Sequence, residues 1–207
     1  MKWRTFILSG ILIMGAAVVA VPLFYQIYGR IRTDQLRSEF ESHINQAQSD
    51  IRDPPRDIME TEEEGFSVGE ISEPPAGAIG MIKIQSIAIE YPIMEGEGKA
   101  QLSHSVGHLP DTAGIGELGN CVLAGHRGSR YGPIFKHLDQ VKTGDEVEVT
   151  DSGGIVHSYR VKEAFVTAPN DISVKRQDGK EELTLVTCES RGTMRLIIRC
   201  LPDQEVQ

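Results

Sequence analysis

The sequence predicts an all-β fold, a barrel or a sandwich, for the C-terminal 129 residues, 79–207. Seven runs in that range alternate apolar and polar side chains, as strands with one buried face do. Turn signals that contain glycine separate the runs, for example at 143–145 and 152–154. So many strands in a compact chain favour a closed sheet, because closure removes exposed edges. We expect the strands at 79–84, 87–93, 120–126, 145–150, 156–167, 183–188 and 194–200. One short helix is expected at 132–140, with Ile134, Phe135 and Leu138 facing inward.

The N-terminal segment, 1–30, predicts a membrane anchor. Twenty-four residues from Thr5 to Tyr28 carry no charge, and a helix needs roughly 20 apolar residues to cross a bilayer core. A cleaved signal peptide is the alternative, since Val18 and Ala20 form a passable cleavage pattern. The uncleaved anchor is favoured because the apolar run exceeds a typical signal-peptide core of roughly 7–15 residues. Basic residues flank the span on both sides, so their count does not decide its orientation.

Two further segments precede the β-rich region. In 31–52, apolar residues spaced by four predict an amphipathic stalk helix that rests on the domain or the membrane. The stripe comprises Leu36, Phe40, Ile44, Ala47 and Ile51. Residues 53–78 contain four prolines and eight acidic residues against one arginine. Such a composition buries little apolar surface and predicts a solvated linker, with a lid over the functional site as the alternative.

The net charge of −9 excludes one class of partner. Residues 1–32 carry a charge of +4, so residues 33–207 carry −13. Nucleic acid binding needs a basic surface to neutralise phosphates. We therefore expect no nucleic acid partner.

The chain has three cysteines, Cys121, Cys188 and Cys200. A disulfide framework usually uses an even number of cysteines at a higher density. Cys121 and Cys200 lie inside apolar runs, where a thiol is usually a small core residue. Cys188 instead ends its run and is followed by the polar stretch Glu189–Gly192, where the sheet should turn. A thiol at a strand end is accessible, and its thiolate is a strong nucleophile.

A nucleophilic cysteine needs a proton partner, usually histidine. Among six histidines, His126 ends the strand "NCVLAG" and opens a glycine-containing loop. If its strand and that of Cys188 are parallel neighbours, imidazole and thiol emerge at the same rim. His104 and His108 are spaced as a metal pair on a helix would be, but Gly107 and Pro110 argue against a helix there. We expect no metal site.

Arg195 begins the strand that follows Cys188 across a short connection. A guanidinium remains protonated and presents fixed donors, so it can stabilise an oxyanion at an attacked carbonyl. The alternative interpretation is that Arg195 is a solvent-exposed strand residue with no catalytic role. Arg199 would point to the same face but about 13 Å further from the rim, at roughly 3.3 Å per residue. Arg195 is therefore the better candidate.

These segments resemble the sortase family. "TLVTC" (184–188) matches the family's TLxTC signature, with "RLIIR" (195–199) shortly after it, and "GNCVLAGHRG" (119–128) matches the histidine segment. The resemblance covers nearly all of 79–203. It implies a closed eight-stranded β-barrel, 79–207, with short helices and no cofactor. It also implies Cys188 as nucleophile, His126 as acid and base, Arg195 at the substrate and oxyanion, and Thr187 as a helper at the oxyanion site.

The resemblance further implies a transpeptidase on the outer face of a Gram-positive-type cell membrane. Its substrates would be secreted proteins with a C-terminal LPxTG-like sorting signal. The acceptor would be an amine, from a peptidoglycan precursor or a pilin lysine. Pilin-type enzymes often carry a lid with Asp-Pro-aromatic, whereas 53–55 here read Asp-Pro-Pro. General anchoring is somewhat favoured over pilin assembly, and 168–182 is the expected signal-selecting loop. A thiol hydrolase or protease and a non-catalytic wall-binding module are the alternatives.

Overall fold

The computed structural model describes residues 2–52, 77–99, 101–128 and 134–203, with side chains from residue 14 onward except at 17 and 47–52. Most of the segment expected to be a linker or lid, 53–78, lies outside the described residues. One long helix, α1 (Lys2–Arg52), precedes eight strands. The strands are β1 (Ala78–Ile84), β2 (Ile89–Glu95), β3 (Val106–His108), β4 (Asn120–Ala124), β5 (Glu146–Asp151), β6 (Val156–Thr167), β7 (Glu182–Glu189) and β8 (Met194–Pro202).

The eight strands form a closed barrel in the order β1-β2-β3-β4-β7-β8-β6-β5. Two neighbouring pairs are parallel, β2 with β3 and β4 with β7, and the other pairs are antiparallel. The closed eight-stranded barrel that the family resemblance implies is therefore confirmed. Short 3-10 turns interrupt the loops, as at Gln101–Ser103 and Ile172–Lys175.

Alternation along each strand fills the barrel interior. In β7, Leu183 and Leu185 point into the core, and in β8 the inward residues are Leu196, Ile198 and Cys200. Each of these side chains is at most 6% exposed. Because successive strand residues face opposite ways, the intervening residues Val186, Cys188, Arg195 and Ile197 lie on the outer face. The core thus fixes which side chains the barrel presents outside.

The second half of α1 packs on the barrel wall formed by β1 and β2. Leu36 and Phe40 are each 3% exposed, and Phe40 contacts Ala78 and Met81 of β1. The Arg37 guanidinium pairs with Glu90 of β2 at 2.8 Å. In the barrel order, this wall lies opposite β7 and β8.

The expected anchor and stalk form one continuous helix, with Pro22 inside it. By length and apolar composition, α1 contains one candidate membrane span within the described side chains, Met14–Gln46. Large apolar side chains such as Val18 (70% exposed) and Phe24 (65%) face outward along it. The structure places Leu36, Phe40 and Ile44 of the predicted stripe against the barrel.

Two local elements differ from the sequence expectations. The helix predicted at 132–140 begins outside the described residues, which resume at 134. Over 134–140 a regular helix is wrong, because 134–137 are turns and Leu138–Gln140 is a single 3-10 turn. The three apolar residues there are nevertheless buried as predicted. Strand β3 was not predicted, because its three residues, Val-Gly-His, are too few for an alternating pattern.

We predict that Leu185→Ala destabilises the barrel by about 2–5 kcal/mol, because it removes a side chain that is 0% exposed and leaves a cavity. Urea unfolding followed by circular dichroism measures the change. Leu118→Ala is the matched control, since Leu118 is 79% exposed, and it should alter stability by less than about 0.5 kcal/mol. Equal losses in both variants would contradict the assigned core.

Candidate active site

The parallel pairing of β4 with β7 brings two of the predicted site residues to one rim. The register joins Ala124 to Val186, so His126 and Cys188, each two residues further on, emerge level with each other. The Gly125 N–H continues the ladder by donating to the Val186 carbonyl at 3.0 Å. Cys188 and His126 are both half-buried. The condition on which the sequence argument depended, parallel neighbouring strands, is met.

The segment around Phe135, which follows β4 and the loop after it, packs against the backbone at Gly125 and His126. The Phe135 N–H donates to the His126 carbonyl at 2.9 Å, and the Phe135 ring is fully buried. That ring packs on Gly125 so closely that a Cβ there would lie 2.5 Å from it. Glycine at 125 therefore permits the close approach that sets the direction in which the chain leaves β4.

Arg195 lies directly opposite Cys188 in the antiparallel pairing of β7 with β8. Side chains opposite each other in such a pair have Cβ atoms about 4.5–5.5 Å apart. The guanidinium Nη1 donates to the carbonyls of Gly192 and Met194, both at 3.0 Å. The connection between the strands therefore anchors one end of this guanidinium.

Arg199, the competing arginine, is engaged elsewhere. It pairs with Glu163 at 3.3 Å and Glu182 at 3.5 Å. Its guanidinium carbon also lies 5.3 Å from the centroid of the Phe165 ring. These contacts hold Arg199 opposite Thr184, four residues along β7 and β8 from the Cys188–Arg195 pair. The geometry thus favours Arg195 as the arginine beside the thiol.

Thr187 faces away from Cys188, toward the core side of β7, and is 2% exposed. Its hydroxyl donates to the Gly125 carbonyl at 2.7 Å. This bond joins the residue before Cys188 to the residue before His126. In this structure the predicted oxyanion helper therefore ties the two strand ends together.

The other two cysteines are core residues. Cys121 is 2% exposed and Cys200 is 0% exposed, and both belong to the main apolar cluster. Burial raises the pKa of the Cys121 thiol to about 12, with Glu95 as a smaller contributor. Burial likewise raises the pKa of Cys200 to about 12. Both thiols are therefore protonated, and so weakly nucleophilic, near neutral pH.

The outer face of the strands that lead to this rim is covered in part, since the outward-facing side chains of Thr184 and Ile197 are each 0% exposed. Ala124, Val186 and Ile197 are paired side by side across β4, β7 and β8, one step from Cys188 on its face. The β6–β7 loop, 168–181, follows Thr167, which pairs with Arg195 near the rim. The loop must then reach Glu182, where β7 begins at the other end of the barrel. It therefore runs along the outside of these strands.

Asn120 and Gln177 fasten that loop. The Asn120 side chain donates to the Val174 carbonyl at 2.9 Å, and the Gln177 side chain bonds the Asn120 backbone at 2.7 and 3.0 Å. Thr184 donates to the Asn120 side chain at 2.8 Å. Sequence reasoning missed this clamp, since a single asparagine at a strand start gives no pattern that points to a distant loop.

His104 and His108 do not form a metal pair. His108 Nδ1 lies 2.9 Å from Glu95 Oε2, and His108 Nε2 lies 2.9 Å from the Ala113 carbonyl oxygen. The His104 ring instead packs edge-on against Tyr28, with centroids 5.9 Å apart. Among the described residues, no group of three or more His, Cys, Asp or Glu side chains is arranged to hold a metal ion.

A closed barrel with a thiol, an imidazole and a guanidinium at one rim has the components of a thiol-dependent acyl transferase. Comparison with known proteins agrees. The sortase domain family model matches residues 82–203. Over 127 residues, the chain is 33% identical to Sortase A of Streptococcus agalactiae serotype III (strain NEM316), covering 58% of this chain and 51% of that protein. The chain spans 51–54% of the length of three curated relatives that it matches at 30–33% identity.

Solved structures show the same barrel. Sortase E from Streptomyces avermitilis superposes with a TM-score of 0.55 at 33% identity, covering 62% of this chain and 90% of that one. A Clostridium perfringens Sortase D5 transpeptidase gives a TM-score of 0.60 over 86% of this chain and 98% of that one, and at 24% identity it supports the fold alone. The chain belongs to the sortase family, whose members are cysteine transpeptidases.

We predict that iodoacetamide near pH 8 alkylates Cys188 in the folded protein and leaves Cys121 and Cys200 unmodified. The latter two are shielded, and their thiols stay protonated at any pH well below about 12. Peptide mass spectrometry before and after denaturation reads out the three sites. Labelling of Cys121 or Cys200 as fast as Cys188 in the native protein would contradict the assignment of Cys188 as the accessible thiol.

Proposed function

We propose that this protein is a membrane-anchored cysteine transpeptidase that cleaves an LPxTG-like sorting signal and transfers its acyl part to an amine. The observation that carries the proposal is the rim where Cys188 and Arg195 pair across β7 and β8 and His126 lies two residues beyond the end of the neighbouring β4. The family supports a transpeptidase. The signal, the acceptor and the anchoring are the parts added here.

The first step forms a thioester at Cys188. Its thiolate attacks the carbonyl carbon of the threonine in the sorting signal, and Arg195 stabilises the negative charge that develops on the carbonyl oxygen. The bond between threonine and glycine then breaks. His126 donates a proton to the departing glycine amine. Thr187 contributes at this site by holding the Gly125 carbonyl, which fixes the backbone between the two reacting side chains.

The second step releases the acyl group. An amine attacks the thioester carbonyl, the carbon–sulfur bond breaks, and His126 accepts the amine proton. Water competes with the amine, so a covered site favours transfer over hydrolysis. The β6–β7 loop outside β4 and β7, fastened by Asn120 and Gln177, is the element we assign to binding the signal peptide and limiting water.

We assign the anchor to α1 and the barrel to the outer side of the membrane. The candidate span and its exposed apolar side chains support the anchor. In this arrangement, secreted proteins with a C-terminal sorting signal reach the rim from the same side. The acceptor is the amine of a peptidoglycan precursor or of a pilin lysine.

Cys188→Ala should abolish both cleavage and transfer when the protein is incubated with an LPxTG-type peptide and triglycine. Cys121→Ala and Cys200→Ala, which alter only core thiols, should retain both activities. Mass spectrometry of the products separates the outcomes. A transpeptidase gives the triglycine adduct, a thiol protease gives only the free acid, and a binding module gives neither. Turnover by the Cys188 variant would refute the nucleophile.

Arg195→Ala should lower the rate constant for peptide cleavage by about 10²–10³-fold, the range observed when one oxyanion donor is removed. Arg199→Ala is the matched control, because Arg199 lies on the same strand face but pairs with Glu163 and Glu182. It should lose less than about tenfold. Equal losses in single-turnover assays would contradict the role given to Arg195.

A further inference from the structure

The two strand ends at the candidate active site are joined by a series of contacts. The Gly125 N–H bonds the Val186 carbonyl, and the Thr187 hydroxyl bonds the Gly125 carbonyl. His126 and Cys188 come next, level with each other. Immediately beyond them an ion pair joins the two residues that follow, Arg127 and Glu189. The reacting side chains are thus bracketed by two hydrogen bonds on one side and an ion pair on the other.

Arg127 reaches two separate parts of the structure. Its Nη1 donates to Oε2 of Glu189 in close contact, and its Nη2 donates to Asp139 at 3.0 Å. The side chains of Arg127 and Glu189 are 32% and 26% exposed, so water screens this pair less than a fully exposed one. Arg127 thereby links the chain leaving His126 to the strand end that carries Cys188.

The second oxygen of Glu189 supports the turn that leads to Arg195. Its Oε1 accepts the Ser190 N–H at 2.9 Å. Ser190 (φ 48°) and Arg191 (φ 57°) both adopt left-handed backbone conformations, which are uncommon for residues with a side chain and require surrounding contacts to hold them. The turn ends at Gly192, whose carbonyl accepts from Arg195 Nη1 at 3.0 Å. Glu189 therefore contacts both the residue that follows His126 and the turn that leads to Arg195.

We propose that Arg127 and Glu189 are positioning residues: their ion pair fixes the strand ends on which His126 and Cys188 stand. The proposal rests on the proposed function, because it assumes that proton transfer involving His126 and Cys188 limits the rate of the reaction. Neither residue touches the substrate in this account. Without the pair, the loop after His126 and the turn after Cys188 move independently, and the productive geometry is populated less often.

Positioning makes a specific kinetic prediction. A partly exposed ion pair contributes little to global stability, whereas a displacement of about 1 Å at a reacting group can lower a rate by about 10²-fold. We expect Arg127→Gln and Glu189→Gln each to lower kcat about tenfold, with KM for the peptide within about twofold of wild type. Because both changes break the same contact, the double variant should be no slower than either single variant.

The experiment uses the full chain, an LPxTG-type peptide with triglycine, and a thermal melt of every variant. Arg160→Gln is the matched control: it breaks the 2.7 Å ion pair of Arg160 with Asp203, in a part of the barrel remote from Cys188. It should leave kcat unchanged. Asp139→Asn removes the other partner of Arg127 and should cause a smaller loss than Arg127→Gln. Melting temperatures should stay within about 3 °C of wild type.

The pH dependence separates positioning from a direct effect of charge on the Cys188 thiol. Removing a cation at 127 would disfavour the thiolate, and removing an anion at 189 would favour it, so direct effects move the pH–rate midpoint in opposite directions. Opposite shifts with an unchanged plateau would overturn the proposal. Losses that multiply in the double variant, or wild-type kcat in both single variants, would also overturn it. Plateau losses in both single variants that do not multiply support it.

Failure of the proposed function is recognised separately. If the wild-type protein transfers no peptide to triglycine, the function is refuted. The alkylation rate of Cys188 by iodoacetamide then tests the positioning claim, because it depends on the neighbouring imidazole and not on a peptide. Slower alkylation in both single variants supports the pair as a positioning element, and wild-type rates in both refute it.

Discussion

The parallel pairing of β4 with β7 is the constraint on which the rest of the site depends. Parallel neighbours end at the same rim, whereas antiparallel neighbours would send their carboxyl ends to opposite rims. Between Ala124 and Glu182 the chain forms β5, β6 and their loops before it returns beside β4. Two residues 62 positions apart, His126 and Cys188, thereby emerge level with each other. The reactive geometry is a consequence of topology before any side-chain contact refines it.

The contacts around the β4–β7 pair are of two kinds: some close the barrel, and others orient the side chains of the candidate active site. Inward residues such as Leu185 and Ile198 make the wall rigid, and their alternation sends Cys188 and Arg195 outward as a cross-strand pair. Polar ties then act at the rim, where backbone pairing between β4 and β7 stops. α1 packs on the opposite wall, so the described residues of the helix that we assign to the membrane leave the β7–β8 side of the barrel uncovered.

Much of the fold could be predicted from the sequence because strand alternation and turn glycines are local signals. Seven of the eight strands show an alternating run, and Cys188 and His126 each stand at the end of one. Three kinds of feature could not be predicted. Strand β3 is too short for a periodic pattern, the segment before Leu138 is held by buried apolar contacts without regular helix, and the loop clamp at Asn120 joins residues remote in sequence. The order in which the strands pair also depends on contacts between residues remote in sequence, and such contacts produce no periodic pattern in the sequence.

The most direct test of the account is a crystal structure of the protein with a sorting-signal peptide whose scissile carbonyl is replaced by a thiol-reactive group. The account predicts electron density continuous from the peptide to the Cys188 sulfur. The His126 ring and the Arg195 guanidinium should flank the new bond, within reach of a direct or water-mediated hydrogen bond. An adduct on another residue, or His126 and Arg195 turned away from the bonded sulfur, would contradict the account.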